Sequence, residues 1–265
     1  MSDTSQSDTP RAIDLSIEVP GTPEEVWRAI ASGPGISSWY VPHRVEERAG
    51  GAASASFGPG PEMQVHGRVA AWEPPHRIVF DDGEGAGGLA FEWLVGARDG
   101  GSCVVRLVNT GFGDGGEWDD QYDALQEGWK LFLLNLRLHL EHFRGRDAAS
   151  ALPTGIWPVD PQTAWDRLTG ALSVPSTLAV GDRLDLDGGD GARLAGTVVD
   201  VAERRLVLLL DEPAPGTGFV VAEGHGPGCV LSVWAYLYGD HRDTLAADVA
   251  AAWQRWLSAQ TPAPA

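Results

Sequence analysis

The chain has 265 residues, 43% of them hydrophobic and 21% charged, which is enough apolar material for one large core or two small ones. Its 37 acidic residues against 19 basic ones leave a formal net charge of −18. That balance argues against nucleic acid, whose phosphates need clustered Lys and Arg, and against an anionic membrane surface.

Residues 1–12 are rich in Ser, Thr and Asp and carry neither a basic segment nor an apolar run. They are expected to be a disordered N-terminus and not a signal peptide. A short strand over 13–19 leads to Thr22-Pro23-Glu24-Glu25-Val26-Trp27, a helix start. Thr22 can accept orphan N–H bonds as the N-cap, Glu25 closes a capping box, and Pro23 stands where a missing N–H costs nothing. A second helical turn, broken by Gly and Pro, runs to Tyr40. Six strand-like runs follow at 44–47, 52–57, 65–72, 77–81, 89–95 and 103–112, with turn residues between them at hairpin spacing. A long helix from about Trp118 to Phe143 closes the series. On it Tyr122, Leu125, Trp129, Phe132, Leu133, Leu136, Leu140 and Phe143 form one broad apolar stripe. Leu131, Leu134 and Leu138 form a narrower stripe roughly opposite. A helix apolar on two sides is buried on two sides. The second stripe is expected to be a domain interface with the rest of the chain, or to meet a protein partner.

The rest of the chain repeats this order. Asp160-Pro161-Gln162-Thr163-Ala164-Trp165 matches the first helix start. Gly196-Thr197-Val198 matches Gly67-Arg68-Val69, Cys229-Val230-Leu231 matches Cys103-Val104-Val105, and Trp253 with Trp256-Leu257 matches Trp129 with Phe132-Leu133. Four anchors in one order, with slowly shrinking offsets, mean two copies of one unit. The second copy is expected to lack one strand and the second short helix. Strands followed by one long helix in each copy predict an α+β layer fold.

The motifs carry little chemistry. Gly-x-Gly-x-x-Gly occurs at Gly83–Gly88 and Gly111–Gly116, a weak signal in a chain with 34 glycines. The second leads into a helix opening with Glu117, Asp119 and Asp120, which would repel phosphate, so it reads as a flap. Zinc, calcium and phosphate-loop spacings are absent, and neither a metal nor another cofactor is expected. His139 and His142 read as solvent-facing residues ending a helix. Cys103 and Cys229, at matching repeat positions, read as core residues. No apolar run approaches the length of a membrane span, and a cytoplasmic location is expected. Alternation along Cys103–Asn109 sends Cys103, Val105, Leu107 and Asn109 to one face and Arg106 to the other.

Val26-Trp27-Arg28-Ala29-Ile30, Ser38-Trp39-Tyr40, Gly67-Arg68-Val69 with Pro74-Pro75-His76-Arg77-Ile78-Val79-Phe80, Gly111-Phe112 and Gly128-Trp129 with the following leucines resemble the START/Bet v-like (SRPBCC) superfamily. Within it they are most similar to the branch of the activator of Hsp-90 ATPase homologues. The resemblance spans about residues 13–143 and reaches the second copy only through the repeat. It implies two tandem helix-grip domains, each a curved antiparallel sheet around a long C-terminal helix, over 13–146 and a degenerate 152–260. A linker at 147–151 and a disordered tail at 261–265 complete the expected organisation. Members mostly bind hydrophobic small molecules such as lipids and polyketides, and they share no catalytic motif, so no catalytic residue carries over. The implied cavity of the first copy would be lined by Val69, Phe80, Phe91, Trp93, Val105, Leu107, Leu125, Trp129 and Leu133. Asn109 and Tyr122 would orient the ligand, and Gly111–Gly116 would gate entry. Two other readings stay open. One is a protein-interaction or chaperone-regulating module acting through Leu131, Leu134 and Leu138. The other is a cyclase or aromatase, which would need an acid or base inside the cavity: Tyr122, or His66 or Glu92 if either turns toward the helix.

Overall fold

A computed structural model describes residues 12–58, 60–83, 88–111, 116–224 and 228–263, with the side chains of these except 116–121, 123 and 124. The chain forms two compact units, Met1–Gly145 and Arg146–Ala265. Unit one runs β1 (Ile13–Pro20), α1 (Pro23–Ala31), α2 (Gly33–Ser37), β2 (His43–Val45), β3 (Ala52–Ser56), β4 (Gln64–Glu73), β5 (Arg77–Asp81), β6 (Ala90–Arg98), β7 (Ser102–Thr110) and α3 (Gly116–His142). Its strands form one sheet in the order β1-β7-β6-β5-β4-β3-β2, antiparallel throughout. Unit two runs β8 (Ala149–Ala151), β9 (Thr154–Trp157), α4 (Pro161–Ala171), β10 (Arg183–Asp187), β11 (Arg193–Ala202), β12 (Arg205–Glu212), β13 (Gly216–Glu223), β14 (Cys229–Leu237) and α5 (Arg242–Ala259). Its sheet order is β10-β11-β12-β13-β14-β8, with β9 also on β14. Among the described residues unit two has no counterpart of α2 or β2, as the repeat predicted.

One boundary differs from expectation. Ala149–Ala151, expected to lie in the linker, is strand β8, with Ala151 opposite Ala235 and Ala149 opposite Leu237. Ala-Ser-Ala has no apolar alternation to betray a strand; backbone pairing to β14 makes it one. β8 and β9 together occupy the place of β1, with Leu152 and Pro153 between them.

The helix starts follow their sequences. Thr22 Oγ1 accepts from Glu25 N at 3.3 Å and Glu25 Oε2 accepts from Thr22 N at 2.9 Å, a reciprocal capping box. Asp160 Oδ1 accepts from Thr163 N at 3.0 Å at the matching position. The sheets bend at matching positions too. The register shifts between Val69 and Ala71 in unit one and between Val198 and Asp200 in unit two. A bulge of this kind bends a strand and increases its twist. Just before each bulge stands a glycine that backbone crowding requires. A Cβ on Gly67 would sit 2.3 Å from Asp81 O, and one on Gly196 2.1 Å from Leu209 O.

Each unit has its own apolar core. In unit one α1, α2 and α3 cover one face of the sheet, burying Val26, Ile30, Ile36, Trp39, Val69, Ile78, Trp93, Val105, Leu107, Trp129 and Leu136. Of the second stripe on α3, Leu131 and Leu138 are buried and Leu134 is half-buried. His139 corrects the expectation of a solvent-facing helix end: it is 3% exposed, while His142 is exposed. His139 lies one turn after the buried Asn135, on the part of the helix where Asn135 Nδ2 donates to Trp39 O at 2.8 Å. Both cysteines are buried, and desolvation raises both thiol pKa values, that of Cys229 to about 11. They are packing residues, as their repeat positions implied.

Candidate functional site

Strand alternation in unit one aims a continuous row of side chains at α3. β7 contributes Val105, Leu107 and Asn109; β6 pairs against them with Val95, Trp93 and Phe91. β5 adds Ile78 and Phe80, opposite Trp93 and Phe91, and Val69 of β4 stands opposite Phe80. From α3, Trp129 meets this row: its ring lies 5.5 Å from that of Trp93, edge to face, and 5.8 Å from that of Phe91. All the apolar residues expected to line a cavity belong to this one cluster. Val69, Trp93, Val105, Leu107, Trp129 and Leu133 are buried, and Phe80, Phe91 and Leu125 are partly buried.

The two residues expected to orient a ligand are placed differently. Asn109 is fully buried, and its Nδ2 donates to Ala90 O at 3.0 Å and Thr110 O at 3.5 Å. Its Oδ1 has no partner among the described residues. Tyr122 Oη donates to Ala12 O at 3.0 Å, tying the helix to the start of β1 and committing the phenolic proton there. The expected gate, Gly111–Gly116, and the other glycine-rich segment, Gly83–Gly88, lie largely outside the described residues.

Sequence reasoning missed Tyr40 and His43 in the far half of the cluster, which α2 and the segment after it supply. Tyr40 is its hub, with ring centroids 5.0 Å from Trp129, 4.4 Å from Phe132, 5.8 Å from Trp39, 6.1 Å from Phe57 and 5.4 Å from His43. Trp39 is locked in place by Nε1 donating to Ala29 O at 2.8 Å and packs edge to face on Trp93 at 5.6 Å. The signal was present as Ser38-Trp39-Tyr40, aromatic residues with no partner in the second copy.

The cluster does not end in solvent-excluding packing. On the β3–β4 side the Tyr40 ring meets that of Phe57, which is 40% exposed, and Met63 and Val65 of the same hairpin are 40% and 56% exposed. On α3, a Cβ on Gly128 would meet no atom of the described residues within 4 Å. A glycine in mid-helix costs stability relative to alanine, here at a position left open. Beside this rim, a cavity of about 230 Å³ is lined by Pro42, His43, Arg44, Ser54, Ala55, Ser56 and Gln64.

The charged groups of these strands lie on the other face. Glu92 pairs with Arg77 at 2.6 Å, Asp14 with Arg106 at 2.8 Å and Asp81 with Arg68 at 2.8 Å. The arginines hold the Asp14 and Asp81 carboxyls below the usual carboxylate range. His66 is exposed. So neither Glu92 nor His66 is turned toward the helix as acid or base. Among the described residues no group of three or more His, Cys, Asp or Glu is placed to hold a metal, and no helix is long and apolar enough to cross a membrane.

Comparison with known proteins agrees with this geometry in the first unit. The profile of the family described as Activator of Hsp90 ATPase homolog 1-like protein matches residues 20–141. Among solved structures, the chain is similar to DynU16, a putative protein in the dynemicin biosynthetic locus, with 22% identity over 93% of this chain and 96% of that one at a TM-score of 0.42. The di-domain ARO/CYC BexL from the BE-7585A biosynthetic pathway matches 96% of this chain and 99% of its own at 16% identity and a TM-score of 0.45. The Aha1 dimer from Colwellia psychrerythraea matches 51% of this chain and 99% of its own at 17% identity and a TM-score of 0.41. Over 141 residues the chain is also 31% identical to a protein of Oleidesulfovibrio alaskensis named ribonuclease HII, covering 47% of each. The chain thus spans about half the length of that curated relative. With the sheet, the gripped helix and the profile match in hand, the first unit has a helix-grip fold like that of the Activator of Hsp90 ATPase homolog 1-like family, and the second repeats its sheet-and-helix plan.

Proposed function

We propose that unit one binds a hydrophobic small molecule, lipid-like or polyketide-like, between the inner face of its sheet and α3. The family in general supports a ligand-binding or a protein-interaction role. The observation that favours the ligand is the apolar and aromatic row from Leu107 and Trp93 through Trp129 and Tyr40 out to exposed Phe57. Apolar walls that run from core to solvent are what a concave ligand site offers. Val69, Phe80, Phe91, Val105, Leu125 and Leu133 form its walls in this reading, and Asn109 Oδ1 is an acceptor at its inner end. A cytoplasmic setting belongs to the same proposal. The rim residues would equally suit a protein partner, which makes that the second reading.

Native mass spectrometry of gently purified protein, followed by denaturation and identification of what leaves, tests the choice. A stoichiometric apolar molecule is expected. A clean mass of the free chain, with tryptophan fluorescence indifferent to a panel of lipids and aromatic polyketides, would overturn the ligand reading in favour of a protein partner. The location is tested by Trp93→Ala and Gly128→Trp. Either is expected to weaken binding at least tenfold, and unchanged affinity in both would misplace the site.

A further inference from the structure

His43 begins the edge strand β2 at the rim of the aromatic cluster. Alternation places it with Val45 on the side that packs against the core, opposite Ala55 and Ala53 of β3. Its ring is half-buried, stands 5.4 Å from the ring of Tyr40, and belongs at the same time to the lining of the cavity along the β2–β4 edge.

The hydrogen bonding of the ring decides its chemistry. Nδ1 lies 2.7 Å from Val41 O, and a carbonyl can only accept, so Nδ1 carries the proton. In the neutral ring Nε2 is then a bare lone pair, and among the described residues it has no donor. Burial lowers the histidine's pKa to about 4, so the ring is neutral and Nε2 an acceptor at physiological pH. Tyr40 beside it is half-buried, and the rings of Phe57, Trp129 and Phe132 pack on Tyr40. An acceptor beside an aromatic ring selects a flat aromatic molecule that carries a donor.

We propose that His43 is the polar anchor of the site, its Nε2 accepting a hydrogen bond from a hydroxyl on an aromatic ligand that packs against Tyr40. This rests on the reading of unit one as a binder of hydrophobic small molecules and adds a ligand class to it: hydroxylated aromatic compounds over bare hydrocarbons or ethers.

Calorimetric titration of the full chain with 2-naphthol and with 2-methoxynaphthalene tests it, since the two share shape and only the first can donate. The wild type is expected to bind 2-naphthol about tenfold more tightly, the worth of roughly one neutral hydrogen bond. His43→Phe keeps the flat ring, removes the acceptor, and is expected to bring the two affinities level, while His43→Gln restores part of the preference. Equal binding by the wild type, or a preference that survives in His43→Phe, would overturn the anchor and leave the groove standing. Binding of neither compound would overturn both. Should His43→Phe fail to fold, the nitrogen shift of Nε2 in the wild type decides: it is expected to move as 2-naphthol is added, and a static Nε2 resonance at saturation defeats the proposal.

Discussion

The two units show what one plan does with and without an opening. At the helix position where unit one has Gly128 beside open space, unit two has Ala252, buried and 3.8 Å from the Cβ position of Gly191 in the β10–β11 turn. Four residues on, half-buried Phe132 corresponds to Trp256, whose ring stands 2.5 Å from where a Gly188 Cβ would be. Unit two therefore seals its helix against a short hairpin, and among the described residues it has no counterpart of the α2 and β2 that bring Trp39, Tyr40 and His43 to unit one. Its core is filled by Trp253 and Trp256, edge to face at 5.4 Å. The matching tryptophans, Trp129 and Trp253, each have a buried indole N–H with no hydrogen-bond partner among the described residues, and each packs edge to face on another tryptophan. The same side chain in the same place serves an open cluster in one unit and a closed core in the other.

The largest expected effect separates these roles. Trp253→Ala empties the closed core and is expected to cost about 3–5 kcal/mol, read from urea unfolding, with no change in ligand affinity. Trp129→Ala should lower stability as well and abolish binding; loss of binding in Trp253→Ala would break the comparison. The pH effect of His43 belongs to unit one: among the described residues unit two has no counterpart of β2. His43 has a folded pKa of about 4 against an ordinary 6.5, so the unfolded chain takes up the proton first. Its contribution leaves stability flat above pH 6.5 and lowers it as pH falls from 6.5 toward 4, by up to about 3 kcal/mol. Burial is the leading cause of the shift, opposed by the bond to Val41 O, and no charged neighbour contributes. Comparing pH-dependent melts of the wild type and His43→Phe isolates this loss, and an identical slope in both would refute it. Helix caps should not distinguish the units: Thr22→Ala and Asp160→Ala are each expected to cost about 1 kcal/mol by chemical denaturation. The smallest effect is the most pointed. Gly128→Ala should stabilise by about 0.5–1 kcal/mol by filling open space on a helix. A destabilised Gly128→Ala would show that the position is closed.

Much of this was legible because repetition doubles weak signals. Pro23 with Trp27, Gly67, Cys103 and Trp129 are each ordinary alone, but their echoes at Pro161 with Trp165, Gly196, Cys229 and Trp253 identify one unit twice. Period-two alternation then placed Val105, Leu107 and Asn109 together, and helical spacing placed Trp129 and Leu133 on the facing stripe. Tyr40 and His43 escaped because they follow a five-residue helix and begin a three-residue strand, too short for any period to show. Strand Ala149–Ala151 escaped because its residues have no apolar pattern, and His139 because helical spacing says which residues share a side but not what covers that side.

The sequence by itself determined the two-fold repetition, the order of strands before helix, the helix starts and the apolar face of each element, because these depend on local spacing and backbone chemistry. Only the tertiary structure decided that Tyr40 joins Trp129, Phe132 and Phe57 in one cluster, that Tyr122 spends its proton on Ala12, and that Gly128 faces open space where Ala252 is covered. Those outcomes depend on how far segments distant in the chain approach one another. Close packing, which local spacing does not encode, sets that distance.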